Sequence, residues 1–190
     1  MAVDRGSHGP NRALKITLAV LLVLFLIAAS ILLALGRSSG IAAGPGLFGT
    51  RANLFSDINL ITQLVLLVGL TVGAVFARRG NISTHQYNQT TWVLINIVLT
   101  IFIMIMSFSE NILPGIPANL SEAHAAISTI HAGLGTLTIL CGVYLLLRMN
   151  QLIPKKYRIK WWKNLMRLTL GLYWLVGLLG IATYYIWYIR

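Results

Sequence analysis

The sequence predicts an all-α, polytopic membrane protein with five transmembrane helices. Of its 190 residues, 57% are apolar and only 10% are charged, a composition typical of integral membrane proteins. Five apolar runs are long enough to cross a hydrocarbon core, which requires about 20 residues in a helix. The segments between these runs are short, so the chain has little room for a soluble domain and the helices are expected to form a bundle.

The first apolar run, at residues 14–35, follows a basic tail and therefore resembles a secretory signal. Its length exceeds the apolar stretch of about 7 to 15 residues found in most signals, so an uncleaved anchor is expected. Residues 1–55 then form a cytoplasmic tail, an anchor helix and an outer loop, and cleavage would leave the same four-helix core. That core, residues 56–190, is predicted to contain helices at 58–77, 91–109, 123–147 and 165–188.

The distribution of Lys and Arg predicts which helix ends face the cytoplasm, because short loops rich in these residues stay on the inner side of a membrane. With the N-terminus inside and the C-terminus outside, twelve of the 15 basic residues fall on the inner side. This pattern explains most of the net charge of +11 without a nucleic-acid partner. Trp161 and Trp162 lie among these basic residues, as is typical of membrane-interface anchors. The inner residues are Arg5, Arg12, Lys15, Arg78, Arg79, Arg148, Lys155, Lys156, Arg158, Lys160, Lys163 and Arg167.

Acidic residues and histidines collect at the predicted outer ends of the core helices. Asp57, Glu110 and Glu122 lie at the ends of the second, third and fourth helices, and His124 and His131 belong to the same outer half. A spacing of seven residues places the two histidines on nearly the same helix face, about 10.5 Å apart along the axis. Imidazole and carboxylate groups together suit several divalent ions. His131, His124, Glu110 and Glu122 are therefore a candidate metal site.

His131 lies deeper in its helix than His124, and ionisable groups at such depth often mark a ligand or a proton relay. The alternative is a core histidine satisfied by a hydrogen bond, while His124 is close enough to the interface to be exposed to water. Small and polar residues form stripes on the last three core helices, which predicts close helix packing or space for a flat cofactor. The stripes are Asn96, Thr100, Ser107 and Asn111, then Ser128, Gly135, Thr138 and Gly142, then Tyr173, Gly177, Gly180 and Tyr184.

Three elements between about residue 56 and the C-terminus carry a resemblance to a known family: "RRGNISTHQ", "TIHAGLGTLTILCGVYLLLR" and "GLYWLVGLLGIATYY". With the order of the helices, they resemble the domain-of-unknown-function 420 family, small bacterial membrane proteins associated with haem-copper oxidase biogenesis. That family is similar in outline to four-helix cytochromes b, in which histidines on facing helices hold haem. The resemblance implies His85 and His131 as counterparts of the family's histidines.

Other histidines of that family pattern are missing from this chain. The end of the third helix reads "MSFSEN", and the segment before the last helix reads "KWWK". His85 is predicted on the inner side of the membrane and His131 in the outer half, so these two cannot hold one haem together. His131, His124 and His85 are the candidate cofactor ligands, and a haem at His131 would need a second ligand from another chain or from a group other than histidine.

The chain contains no Cys pair, H-E-x-x-H motif, phosphate loop or nucleotide fingerprint, so no catalytic centre of its own is expected. The resemblance implies an accessory or assembly subunit of a respiratory or electron-transfer complex in the bacterial cytoplasmic membrane, in contact with lipids and with the other subunits. The alternative is a small b-type cytochrome-like electron carrier that uses His131. Haem b and copper are the candidate cofactors, the latter because Met104 and Met106 lie near Glu110.

Overall fold

The structure is a computed structural model that describes residues 46–116 and 118–190, without the side chains of residues 106, 110 and 111. Over these residues the chain is all-helical and has no β-strand. It contains four helices that are long and apolar enough to cross a membrane, which confirms the all-α class and the four predicted core spans. The predicted anchor helix at 14–35 and nearly all of the region 1–55 lie outside the described residues.

The helices are numbered here in chain order. The third predicted span consists of two α-helical segments, α2 and α3, joined by a π-helical turn, and short 3₁₀ turns follow it and precede the last helix. The bounds are α1 Leu54–Arg78, α2 Ile82–Leu99, the π turn Thr100–Met104, α3 Ile105–Asn111, α4 Ala123–Met149 and α5 Trp162–Tyr188, with 3₁₀ turns at Leu113–Gly115 and Lys155–Tyr157.

The main difference from the predicted boundaries is the start of α2, at Ile82 instead of residue 91. Residues 82–90 are polar and look like a loop in the sequence, but their side chains bond to the backbone of α1. The Nδ1 atom of His85 lies 2.7 Å from the Gly73 carbonyl oxygen. The amides of Asn88 and Gln89 donate to the carbonyls of residues 69 and 70 at 2.8 and 2.9 Å. His85, Asn88 and Gln89 are called the polar layer below.

The polar layer fits because α1 has two glycines where α2 crosses it. Gly69 and Gly73 are one turn apart and both are buried. A Cβ atom at Gly69 would overlap the indole ring of Trp92, and one at Gly73 would overlap the amide of Asn88. Small residues at this spacing let two helix backbones approach closely in a membrane, and here the approach brings side chains of α2 within reach of the α1 carbonyls.

The four long helical segments form a closed, antiparallel bundle in which α1 and α4 each pack against both α2 and α5. Leu66, Leu67, Leu70, Val93 and Tyr173 form its apolar core. One end of the bundle, called the Asp57 end, holds the start of α1 and α4 and the end of α5. The opposite end, called the basic end, holds the end of α1 and α4 and the start of α2 and α5.

The outward faces of the helices are apolar. Val68, Leu140 and Leu178 are 59%, 63% and 58% exposed, on three different helices. Large apolar side chains exposed around a whole bundle are compatible with contact with membrane lipid. The polar side chains described next are consequently features of the bundle interior and of its two ends.

Candidate functional site

The candidate residues are distributed over both ends of the bundle. His124 and His131 lie in the first turns of α4, in the half of the bundle next to the Asp57 end, whereas His85 belongs to the polar layer near the basic end. Gly180, which His131 contacts, lies one turn from Tyr184 on α5. His131 is therefore on the opposite side of the apolar core from His85, and no single metal or haem can bind both.

His124 lies at the surface, where its side chain is 40% exposed. Its Nδ1 atom is 3.3 Å from a carboxylate oxygen of Glu122. Its ring also packs edge-on against Trp187, with the centroids 5.3 Å apart and the planes at 90°. Beside these rings a recess of about 430 Å³ opens to the surface, lined by Ala123, His124, Ile186, Trp187 and Arg190.

His131 lies inside the bundle, against the backbone of α5. A Cβ atom on Gly180 would be 3.2 Å from its Cε1 atom, so the glycine makes room for the imidazole. The ring also faces the backbone of Val176. Its Nδ1 atom is buried and has no hydrogen-bond partner among the described residues. The imidazole thus lies against the backbone of α5, and one of its nitrogens has no partner within the described chain.

Three more buried polar atoms in the same half of the bundle have no partner in the part of the chain that the structure describes: Asn59 Oδ1, Gln63 Nε2 and Thr129 Oγ1. The contacts between α1 and α5 show their depth. Asp57 bonds to Tyr184 and Leu67 contacts Gly177, so His131 lies at the level of the α1 segment that contains Asn59 and Gln63. These four residues are called the unsatisfied set, and together they offer both donors and acceptors.

The π turn at Thr100–Met104 is at the corresponding level on the remaining face of the bundle. It follows Asn96, whose amide donates to the Tyr173 hydroxyl at 3.4 Å in the middle of the bundle. Within the turn the Thr100 hydroxyl lies 3.7 Å from the Met104 sulfur. A π turn inside an α-helix is often found at functional sites.

The most completely bonded polar group in this half is Asp57, whose role the sequence did not indicate. Asp57 is fully buried in the first turn of α1. Its carboxylate accepts hydrogen bonds from the backbone N–H groups of Leu47 and Phe48, at 2.6 and 3.1 Å, and from the Tyr184 hydroxyl. The Thr50 hydroxyl is 3.0 Å from the same tyrosine oxygen. Asp57 therefore ties the 46–53 loop and α1 to the end of α5.

A second hydrogen bond supports that connection, from the Ser56 hydroxyl to the Tyr188 hydroxyl at 3.0 Å. The signal for it in the sequence is weak: an acidic residue follows a Gly-rich loop, and tyrosines recur at the end of the last helix. Gly46 is the residue of that loop that indicates the contact with Asp57, because a Cβ atom there would overlap the Asp57 carboxylate. Since the Asp57 carboxylate has three donors, its role is structural.

The predicted metal site is only partly described. Glu122 and His124 do form a pair, but the side chain of Glu110 lies outside the described residues. Among the described side chains, no group of three His, Cys, Asp or Glu residues is close enough to hold a metal ion. The four-residue site with His131 stays a prediction, as do the cofactor assignments of His85, His124 and His131.

No protein-family model, curated protein or solved structure matches the chain. The fold class and the candidate sites therefore rest on the residues of this chain. Buried polar atoms in proteins nearly always have a hydrogen-bond partner. The unsatisfied set is therefore the strongest indication among the described residues that another hydrogen-bonding group binds here.

Proposed function

We propose that this chain is an accessory or assembly subunit of a membrane respiratory or electron-transfer complex, without a catalytic centre of its own. The observation that supports a partner is the unsatisfied set. Each buried polar atom without a hydrogen bond costs about 1 to 3 kcal/mol, and lipid offers no replacement. A water held inside the bundle, or a rearrangement of these side chains on contact with a partner helix, would recover that free energy. The respiratory assignment comes from the resemblance to the domain-of-unknown-function 420 family.

The proposed topology has five transmembrane helices in the bacterial cytoplasmic membrane, with the N-terminus inside and the C-terminus outside. Its support is the collection of Lys and Arg at the basic end. Cysteine labelling tests it in a Cys141→Ala background, which removes the only cysteine of the chain. A probe at Lys155→Cys should react only after the cytoplasm is opened, and a probe at Ala118→Cys should react in intact cells. The reverse result would overturn the topology.

The experiment for the accessory role is purification of the full chain after cross-linking in membranes, followed by identification of the captured proteins. Wild type is expected to bring down subunits of an electron-transfer complex. Gln63→Leu and His131→Leu should each reduce that yield by tenfold or more, because the partner loses its hydrogen bonds. His124→Leu is the matched control, an identical change on the same helix at the surface. Capture of no electron-transfer component by wild type would contradict the proposal.

A second candidate is the b-type cytochrome-like carrier, favoured by the free Nδ1 atom of His131. The residues fit one axial ligand: the ring lies against Gly180 on α5, and Nδ1 is unpaired within the described chain. They do not supply a second histidine, because His124 is on the same helix two turns away and His85 is near the other end. The second ligand would come from another chain or from a different residue type, and a bound haem would supply one-electron transfer.

An absorption spectrum of the purified protein separates the two candidates. A Soret band with sharp α bands on reduction, absent in His131→Ala, would identify the carrier. A colourless protein that captures oxidase subunits would identify the accessory role. Metal analysis of the same sample tests the copper alternative. Glu122→Gln, which alters the pair formed by Glu122 and His124 at the surface, is the variant to compare with wild type.

A further inference from the structure

The basic end of the bundle carries an excess of positive charge that the proposed function does not explain. The acidic residues of the described chain, Asp57, Glu110 and Glu122, all lie at the other end. Within the described chain no Lys or Arg forms an ion pair with Asp or Glu. The basic residues concerned are Arg78, Arg79, Arg148, Lys155, Lys156, Arg158, Lys160, Lys163 and Arg167.

Two of these cations converge on one aromatic ring. The guanidinium carbon of Arg148, at the end of α4, is 5.1 Å from the ring centroid of Trp162, at the start of α5. The ammonium of Lys163 is 5.9 Å from the same centroid. Cations stack favourably on indole rings, but two of them on one ring repel each other. An anion bound by both cations would offset that repulsion.

Arg148 also has a hydrogen-bond donor without a partner in the described part of the chain. Its Nη1 atom is buried and has no partner among the described residues. A guanidinium presents several N–H donors in a fixed plane and bonds phosphate oxygens well. The start of α5 adds to the positive potential here, because its N-cap residue, Trp161, makes no side-chain hydrogen bond to the first turn.

The loop that brings the remaining basic residues to this point is held in place by α4. The Tyr144 hydroxyl donates to the Tyr157 carbonyl at 3.2 Å and accepts from the Ile159 N–H at 2.8 Å. The Arg158 Nε donates to the Ile153 carbonyl at 3.0 Å. Because the loop is already ordered, binding of an anion does not have to order it.

We propose that an anionic phospholipid binds at Trp162, with its phosphate between Arg148 and Lys163 and its acyl chains along the exposed leucines of α5. Leu168 and Leu175 are 54% and 46% exposed and follow Lys163 along that helix. Basic pockets between transmembrane helices are known to hold lipid phosphates. The proposal requires only that the four helices span a membrane, so it is independent of the partner complex.

Native mass spectrometry of the purified full chain in detergent tests the site, with phosphatidylglycerol and phosphatidylcholine as the two probes. Wild type should bind phosphatidylglycerol at least tenfold more tightly. Removing one basic side chain costs about fivefold in lipid binding. The double variant Arg148→Gln, Lys163→Gln should therefore lose the preference almost completely. Trp162→Leu keeps the charge and should also weaken binding, because it removes the ring that positions both cations.

The matched control is the double variant Arg78→Gln, Arg79→Gln, which removes the same charge from the same end of the bundle but away from Trp162. It should keep the preference to within about threefold. An equal loss in both double variants would overturn the proposal in favour of general attraction to the basic end. Displacement of phosphatidylglycerol by millimolar inorganic phosphate would overturn the lipid assignment. If the first double variant aggregates, Lys163→Gln alone should still show the fivefold loss.

Discussion

The polar layer and the unsatisfied set are two groups of polar side chains on opposite sides of one apolar core. In the polar layer, His85, Asn88 and Gln89 each contact a carbonyl of α1, and the Nε2 atom of His85 is the one buried atom of the layer without a partner among the described residues. In the unsatisfied set, four polar atoms have no partner within the described chain. The unsatisfied set lies on apolar stretches of its helices, whereas the polar layer belongs to the polar segment 82–90. The difference shows which polar residues hold the bundle together and which retain hydrogen-bonding capacity for something else.

The largest loss of stability is expected when Asp57 is replaced. Asp57 lies in the same half of the bundle as the unsatisfied set, but all its hydrogen bonds are made within the chain. Asp57→Ala leaves two N–H groups and the Tyr184 hydroxyl without an acceptor, and should lower the free energy of unfolding by about 3 to 4 kcal/mol. Unfolding experiments in detergent micelles measure this change in free energy. Glu122→Ala, at a side chain 57% exposed, should change stability by less than about 0.5 kcal/mol. Equal losses would mean that Asp57 does not tie α1 to α5.

The second-largest loss of stability is expected at the glycines of α1 that α2 packs against. Gly69→Ala forces a Cβ into the ring of Trp92 and should cost about 2 to 3 kcal/mol of stability. Gly133→Ala is the matched control on α4, since nothing lies within 4 Å of the added atom, and it should be neutral or slightly stabilising. The same unfolding assay compares them. A tolerated Gly69→Ala would show that α1 and α2 do not need their close approach.

His131→Leu tests the unsatisfied set directly and should separate stability from function. The change removes a buried imidazole whose Nδ1 atom has no partner among the described residues, so the isolated protein should be unchanged or stabilised by about 1 kcal/mol. Capture of the partner complex should fall at the same time. His124→Leu should leave both measurements unchanged. Destabilisation by His131→Leu without loss of capture would instead identify His131 as a core histidine satisfied through Val176.

The smallest effect is expected at Asn88, whose amide bonds a carbonyl of α1. Hydrogen bonds between membrane helices contribute about 0.6 kcal/mol on average, and Asn88→Leu should lower stability by about that amount. Capture of the partner should not change, in contrast to Gln63→Leu, which alters an amide of the unsatisfied set. If both variants reduced capture equally, the two groups of polar residues would not differ in role.

Much of the fold could be predicted from apolar periodicity and length. The start of α4 at Ala123 agrees with the prediction, and the start of α5 at Trp162 differs from it by three residues. The start of α2 could not be predicted, because the polar side chains of segment 82–90 bond to the backbone of a neighbouring helix. Gly69 and Gly73, one turn apart on α1, are a signal of close packing that the prediction did not use.

The candidate site could be located in part. The depth of His131 follows from its position in the fourth predicted span, whereas its contact with Gly180 was not predicted. The state of each ring nitrogen could not be predicted, because it depends on the backbone of another helix. Asp57 and Tyr184 could be assigned to the same end, but their pairing depends on how α1 and α5 are rotated about their axes, which the sequence pattern does not determine.

The hydrogen bond between Asp57 and Tyr184 also has a consequence for the order of biosynthesis. The two residues are 127 positions apart, and a ribosome adds about 5 to 20 residues per second. Tyr184 is therefore made roughly 6 to 25 s after Asp57. During that interval the carboxylate has only the N–H groups of its own loop as donors. The Asp57 end of the bundle closes only when the last helix has left the ribosome, and a nascent chain that stops before residue 184 cannot close it.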